Sequence, residues 1–163
     1  MEFSIRRVRE SDGSKIIGIF NYHAGNSLAA YPVETATLHL FDQLRETTCG
    51  TSFYVIEKDQ SEVVGFGLLK EHHPSAAFCR TADLAYLISP GFRNQGLGSM
   101  LFDVLINDAK KMKIVTLLAG ISSLDEESIT FHRKKGFGEC GRFKKVGIKH
   151  GKEFDVVWMQ KFI

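Results

Sequence analysis

A glycine-rich stretch, SPGFRNQGLGSM at residues 89–100, has the residue types and spacing that most clearly suggest chemistry. It follows an apolar segment and precedes a segment with helical periodicity, so it should be a turn between a strand and a helix. Gly96 and Gly98 have no Cβ, which would let backbone N–H groups converge on an anion at the positive end of that helix. A phosphate cradle and an ordinary surface turn both fit this spacing.

Two common phosphate-binding motifs do not fit the sequence. It contains no GxxxxGK[ST] segment, so it is not a P-loop protein. The glycine-rich turn also comes late, after a predicted hairpin, whereas the GxGxxG turn of a dinucleotide-binding domain follows the first strand. If the turn binds phosphate, it does so in another fold.

The composition indicates one globular domain over residues 1–163, with 44% hydrophobic and 25% charged residues. A formal net charge of +2 gives no reason to expect nucleic acid as a partner. The three cysteines include no CxxC pair, so we expect no metal, no disulfide framework and a reducing, cytoplasmic location. His72 and His73 are adjacent, which is poor spacing for metal ligands, and we assign them to a loop.

No membrane association is expected. The first residues, MEFSIRRVRESDG, lack the apolar core of a signal peptide. The apolar runs are far shorter than the ~20 residues that a membrane-spanning helix needs.

Periodicity predicts a mixed α/β domain with the order β α α β β β α β α β β. The predicted strands cover 3–8, 51–59, 62–71, 77–89, 113–121, 138–149 and 153–163. The first predicted helix follows SDG (11–13) and covers 15–24, and the other three cover 37–47, 98–112 and 124–135. Ser123 and Glu126 have the spacing of a capping box for the last helix.

A family resemblance covers nearly the whole chain. RNQGLG (93–98) resembles the [QR]-x-x-G-x-[GA] acetyl-CoA signature of the GNAT superfamily of N-acetyltransferases. Four further segments resemble, in the same order, motifs of its phosphinothricin acetyltransferase subgroup: 19–34, 78–98, 125–137 and 146–160. The resemblance implies a mixed, mostly antiparallel sheet of about seven strands flanked by about four helices. It also implies direct transfer, in a ternary complex, from acetyl-CoA to the amine or sulfoximine nitrogen of a small amino-acid-like molecule such as phosphinothricin or methionine sulfoximine.

The resemblance also implies which residues bind the co-substrate. The backbone of 94–99 would hold the pyrophosphate, and the strand at 86–88 would lie beside the pantetheine arm, with an N–H near Leu87 facing the thioester oxygen. Asp125 replaces an asparagine of the subgroup, which puts that contact with pantetheine in doubt. The expected cofactor-binding residues are Tyr86, Leu87, Ile88, Arg93, Asn94, Gln95, Gly96, Leu97, Gly98, Ser99, Asp125 and Ser128.

Three residues are candidates for catalysis by resemblance. Asp83 falls on the subgroup's strand glutamate and could accept the amine proton, bind the amine, or be an ordinary strand-edge aspartate. His150 matches the histidine of the subgroup's K-H-G motif, although His-Gly is also typical of a hairpin turn. His132 lies where many GNAT proteins have a tyrosine that protonates the leaving thiolate, or it could simply pack near the co-substrate.

The acceptor pocket is implied to involve Asn21, Ser27, Tyr31 and Phe78, of which the two aromatic residues could equally belong to the core. Two alternative functions remain open: acetylation of a peptide or protein N-terminus, and a sensor that binds acyl-CoA without catalysis. Many members of the subgroup form dimers, so the resemblance makes a homodimer possible, which the sequence neither confirms nor excludes.

Overall fold

The computed structural model describes residues Met1–Ile163. Its seven strands form one sheet with the spatial order β1-β2-β3-β4-β5-β7-β6. The strands are β1 (Phe3–Arg7), β2 (Thr48–Lys58), β3 (Glu62–Glu71), β4 (Thr81–Ile88), β5 (Thr116–Ser122), β6 (Gly138–Lys149) and β7 (Lys152–Phe162). Only the β4–β5 pair is parallel, which confirms the predicted mostly antiparallel sheet.

Four helices cover the two faces of the sheet, as predicted: α1 (Gly13–Asn26), α2 (Leu38–Thr47), α3 (Leu97–Lys111) and α4 (Glu126–Lys134). Apolar residues of α1 and α2 pack on one face, in a cluster with the inner strands β2 and β3. The α3 helix and Ile129 of α4 pack on the other face, in a larger cluster that extends to β5 and β7. Because strand side chains alternate between faces, each residue of β4 belongs to one layer or the other.

The parallel ladder between β4 and β5 is short. It joins Thr81 to Thr116, Ala82 to Leu117 and Asp83 to Leu118, and then ends. Both strands continue beyond this point, β4 to Ile88 and β5 to Ser122, without pairing to each other. The sheet therefore opens into a V whose closed end is at Asp83.

Two strands begin later in the structure than predicted. The segment 77–89 is not strand throughout, because Ala76–Phe78 form a 3-10 turn and β4 begins only at Thr81. The Ser75 hydroxyl caps that turn by accepting the N–H of Ala77 (3.4 Å). The strand predicted from residue 113 likewise begins at Thr116.

The predicted capping box of α4 is wrong. The cap is Asp125, whose Oδ1 accepts the N–H of Ser128 (3.1 Å). Ser123 has a different partner, because its Oγ accepts the N–H of Asp155 on β7 (2.8 Å). The Ser123 hydroxyl, which the local sequence pattern assigned to the helix cap, is therefore used in a contact with β7 instead.

Candidate active site

A cleft of about 340 Å³ lies where β4 and β5 part. Its walls are the end of β4, the glycine-rich turn, the first turn of α3 and the first half of α4. It contains every residue that the sequence predicts to bind the co-substrate except Gln95. The Gln95 side chain instead donates to the carbonyl of Gly91 (3.4 Å).

The turn has the backbone geometry that its glycines permit. Gly96 has φ +79° and is the residue before α3, where no side chain caps the helix. The first N–H groups of α3 consequently have no partner inside the helix, and they lie at the cleft wall. A Cβ added to Gly98 would stand 3.6 Å from the Phe131 ring, which lines the same cleft. Backbone donors and missing side chains together make an anion cradle here.

Charged groups frame the mouth of the cleft. Arg93 forms an ion pair with Glu127 of α4 (2.6 Å), which links the turn to the opposite wall. Asp125 uses its carboxylate to cap α4, as described above. This carboxylate therefore has a structural task that the subgroup's asparagine could also perform.

The N–H groups of β4 alternate between β3 and the cleft. The N–H of Ser89 donates to Val64 of β3 (2.8 Å), so the N–H of Leu87, two residues away, also faces β3. The N–H groups of Tyr86 and Ile88 face the gap instead. The donor expected near Leu87 therefore belongs to one of its two neighbours.

A hydrogen-bond chain runs from the cleft wall into α4. The Tyr86 hydroxyl lies 2.6 Å from His132 Nε2, and His132 Nδ1 lies 2.7 Å from the carbonyl of Ser128. A carbonyl only accepts, so Nδ1 carries the proton and Nε2 accepts from Tyr86. Burial lowers the pKa of His132 and raises that of Tyr86, so the histidine is neutral and the tyrosine protonated at neutral pH.

A second buried histidine, not predicted as a site residue, ties α1 to the end of β4. His23 Nε2 donates to the carbonyl of Ile88 (2.7 Å), and its Nδ1 accepts from the Ser27 hydroxyl (2.7 Å). Burial lowers its pKa, and it lines the cleft. Ser27, predicted to contact the acceptor, thus orients His23.

Asp83 lies at the closed end of the V, on the sheet face that carries α1 and α2. Ala85 and Leu87, which share its side of β4, pack against the α1–α2 cluster. Its Oδ1 lies 2.8 Å from Nδ1 of His72, a residue that we had assigned to a loop. Burial raises the pKa of Asp83, and the hydrogen bond from His72 opposes that rise.

Other predicted acceptor residues hold the loop at 27–37. Asn21 clasps it with two hydrogen bonds to the backbone of Ala36, of 2.7 and 3.0 Å. The Tyr31 hydroxyl donates to the carbonyl of Gly120 on β5 (2.9 Å), and its ring stacks on Phe154. Burial of the hydroxyl raises the pKa of Tyr31 to about 12. The fourth predicted residue, Phe78, packs against His72 and His73.

The final hairpin supplies a buried lysine and an exposed histidine. Lys149 is 2% exposed, and its Nζ donates to the carbonyls of Ala30 and His23. No carboxylate pairs with it, and burial lowers its pKa. His150, one of the two histidines predicted to be catalytic, follows at φ +51° in the turn, is exposed and does not line the cleft.

Replacing Lys149 with Met should raise the acceptor KM about tenfold, because the carbonyl of Ala30 loses its donor and the loop at 27–37 loosens. Hydrogen exchange of 27–37 should also become faster. Lys152 is exposed on the same hairpin, so Lys152→Met is the matched control. An unchanged acceptor KM and unchanged exchange in Lys149→Met would show that the hydrogen bond from Lys149 to Ala30 does not hold the loop in place.

The two buried histidines should make stability depend on pH. The pKa of each is lowered in the folded state, so the unfolded chain binds more protons as the pH falls through about 6.5. The free energy of unfolding should therefore fall with decreasing pH, by up to about 1.4 kcal/mol per pH unit for each histidine. Urea unfolding between about pH 7.5 and 5.5 measures this slope.

The comparison variant is His132→Gln. Its free energy of unfolding should depend less steeply on pH, because only His23 then contributes to the slope. His39 is exposed on α2, and His39→Gln should leave the slope as it is. Equal slopes for wild type and His132→Gln would show that His132 titrates alike in both states.

Comparison with known proteins defines the class of this fold and cleft. Residues 5–158 match the acetyltransferase (GNAT) domain family, so the chain belongs to the GNAT acetyltransferases and is an acyltransferase. It is 29% identical to an L-methionine sulfoximine/L-methionine sulfone acetyltransferase of Pseudomonas aeruginosa, over 98% of this chain and 94% of that protein.

Two solved structures share the fold over nearly the full chain. A ribosomal-protein-alanine N-acetyltransferase from Brucella melitensis is 30% identical, with a TM-score of 0.87 over 98% of this chain and 99% of that one. A phosphinothricin acetyltransferase from Sinorhizobium meliloti in complex with AcCoA is 23% identical, with a TM-score of 0.91 over 100% of this chain and 89% of that one. The predicted family and fold are thereby confirmed.

The structure contains no cluster of three or more His, Cys, Asp or Glu residues that could hold a metal ion. None of its helices combines the length and apolar character needed to cross a membrane.

Proposed function

We propose that this acetyltransferase transfers the acetyl group of acetyl-CoA directly to the amine or sulfoximine nitrogen of a small amino-acid-like molecule. The observation that carries the proposal is the V between β4 and β5, which leads from the glycine-rich cradle to Asp83. The similarity to methionine sulfoximine and phosphinothricin acetyltransferases supports this substrate class.

The residues of the cleft fit acetyl-CoA. The uncapped first turn of α3 and the glycines at 96 and 98 would hold the pyrophosphate, and the gap beside β4 would take the pantetheine arm. The co-substrate supplies an activated acyl thioester. From Ile88 back to Asp83 is five residues, roughly 16 Å of strand at 3.3 Å per residue, a span comparable with an extended pantetheine arm.

Backbone donors of β4 would polarise the thioester. The N–H groups of Tyr86 and Ile88 face the gap, where the carbonyl oxygen would lie. One fixed donor aimed at a developing oxyanion stabilises it by roughly 3 kcal/mol. Because β3 and His23 hold the end of β4 in place, these donors need little reorganisation during the reaction.

The acceptor amine must lose a proton, and Asp83 is the carboxylate nearest the closed end of the V. Its raised pKa favours proton uptake compared with an exposed aspartate. His132 is neutral with no proton on Nε2, so it could donate to the thiolate only after being protonated through Tyr86. We therefore assign the Tyr86–His132 pair to shaping the cleft wall.

A second candidate function is acetylation of a protein N-terminus. The similarity to the Brucella melitensis ribosomal-protein-alanine N-acetyltransferase favours it. The loop at 27–37 argues for the smaller acceptor, because Asn21, Tyr31 and Lys149 fasten it across the face on which a peptide would lie.

A thiol-release assay with acetyl-CoA and a panel of acceptors tests the proposal. The panel contains methionine sulfoximine, phosphinothricin, common amino acids and an alanine-initiated peptide. Release that depends on a small amino acid analogue supports the proposed function. Release with the peptide alone supports the second candidate, and binding of CoA without release from any acceptor identifies a sensor.

We further propose that residues 1–163 act as one catalytic unit in the cytoplasm and associate as a homodimer. The three cysteines are free thiols, as a reducing compartment would keep them. The edge strand β6 exposes Phe143, Val146 and Ile148, which a second copy could cover. Sedimentation velocity measures the association, and a monomer at micromolar concentration would rule it out.

A further inference from the structure

The closed end of the V holds a pair of side chains: Asp83, which the family resemblance singles out, and His72, which it does not. His72 is the first residue after β3, and Asp83 is on the neighbouring strand β4. The His72 side chain is 30% exposed and the Asp83 side chain 26%, and Nδ1 of His72 lies 2.8 Å from Oδ1 of Asp83. The pair is therefore sheltered but reachable by a small molecule.

The direction of this contact fixes the useful tautomer of the histidine. With Nδ1 donating to a carboxylate, the neutral ring keeps its lone pair on Nε2, which has no hydrogen-bond partner. The Phe78 ring packs against the His72 ring, with centroids 6.0 Å apart, and restricts its rotation. An oriented imidazole with a free Nε2, held at the closed end of the V, has the arrangement of a general base.

The titratable groups around this pair form no hydrogen bonds to it, although the charge of Lys70 helps to oppose the rise in the pKa of Asp83. Lys70 is the cross-strand neighbour of Asp83 and is exposed, with no hydrogen bond to it. Glu71 precedes His72, and Cys49 lies near both carboxylates and has its pKa raised to about 11, chiefly by burial. His73 accepts the N–H of Ser75 at its Nδ1 (3.0 Å), so its ring stabilises the turn that follows β3.

We propose that His72 Nε2 is the base that takes the proton from the acceptor nitrogen, and that Asp83 positions His72. This inference rests on the proposed acetyl transfer and moves the proton acceptor from the Asp83 carboxylate to the imidazole that it holds. It also answers the problem that aspartate is one methylene shorter than the subgroup's glutamate, since the imidazole extends the reach of the carboxylate. Asp83 is then a positioning residue and His72 the catalytic one.

The step starts from the uncharged acceptor nitrogen, so one proton leaves the nitrogen and one is taken up by the sulfur. The acceptor nitrogen forms a bond to the thioester carbonyl carbon, and the carbon–sulfur bond breaks. The proton lost by the nitrogen passes to His72 Nε2, giving an imidazolium that is paired with the Asp83 carboxylate. The imidazolium returns its proton to solvent, and the departing thiolate takes one from solvent.

Kinetics of variants at positions 72 and 73 test the proposal. His72→Ala should reduce kcat about 100-fold or more and abolish the acidic limb of the pH–rate profile. Added imidazole should restore part of that loss, because it supplies the missing base. His73→Ala is the matched control and should keep kcat and the limb. A His72→Ala kcat within about threefold of wild type, or a low kcat that imidazole does not raise, would overturn the proposal.

Nitrogen NMR observes the tautomer of His72 directly, so it tests the pairing with Asp83 independently of whether the protein turns over an amine. The spectrum of His72, identified by its loss in His72→Ala, should show a proton on Nδ1 in the wild type and a mixture of tautomers in Asp83→Asn. A wild type with no turnover of any amine would end the proposed function, and the base role of His72 with it. Turnover by His72→Ala at the wild-type rate would end only the role of His72.

Discussion

Acetyl-CoA should bind about 100-fold more weakly to a Gly98→Leu variant, which corresponds to about 2.7 kcal/mol. The backbone at position 98 adopts an ordinary helical conformation, and a Cβ there meets Phe131 at 3.6 Å, which is normal contact. The fold should therefore tolerate the change. The larger leucine side chain would fill the space at the start of α3 through which a pyrophosphate approaches the backbone donors.

Calorimetry with acetyl-CoA measures this effect, and urea unfolding shows that the variant is folded. Gly91→Ala is the matched control, because Gly91 has no atom within 4 Å of its added Cβ and does not line the cleft. Its affinity should equal that of the wild type. If Gly98→Leu keeps wild-type affinity, the pyrophosphate binds elsewhere and the glycine-rich segment is an ordinary turn.

Asp83→Asn should lower kcat about 10²–10⁴-fold while leaving the affinity for acetyl-CoA unchanged. Asparagine can still accept a hydrogen bond, but it carries no charge to hold a proton or to stabilise an imidazolium at His72. Asp83 also lies outside the residues that line the cradle end of the cleft. The change should therefore act on the chemical step and not on co-substrate binding.

Steady-state kinetics at saturating acetyl-CoA give kcat, and calorimetry gives the affinity. Asp42 is exposed on α2, so Asp42→Asn removes one negative charge without touching the cleft and should behave as wild type. A kcat for Asp83→Asn within about threefold of wild type would remove this carboxylate from the chemistry. Loss of acetyl-CoA binding in Asp83→Asn would instead show that the residue shapes the cleft.

Sequence reasoning succeeded where the controlling interactions are local. The seven strands and four helices follow from periodicity, and the glycine-rich turn depends on the conformational freedom of residues next to one another. The start of β4 was predicted too early because apolar residues such as Ala77 and Phe78 suit a strand as well as a 3-10 turn. The Ser75 cap and the backbone hydrogen bonds of the turn, from Phe78 to Ser75 and from Cys79 to Ala76, distinguish the two.

The residues missed by sequence reasoning are those whose partners lie far along the chain. His72 meets Asp83 across 11 residues, His23 meets Ile88 across 65, and Lys149 meets Ala30 across 119. No local pattern marks such pairs, and a histidine next to another histidine resembles an ordinary polar loop. The one available signal was Asp83 itself. Its side chain is one methylene shorter than the glutamate of the subgroup, so a second group would be needed to reach the acceptor nitrogen.

The early end of the β4–β5 ladder has a consequence for how this chain can change over time. The contacts expected there come from main-chain atoms, which every amino acid except proline provides equally. Substitutions along the edge of β4 would then accumulate without lowering the affinity for acetyl-CoA. Under the proposed function, the choice of acceptor would depend instead on side chains such as Tyr31 and Phe78. The two halves of the reaction are thus free to diversify at different rates.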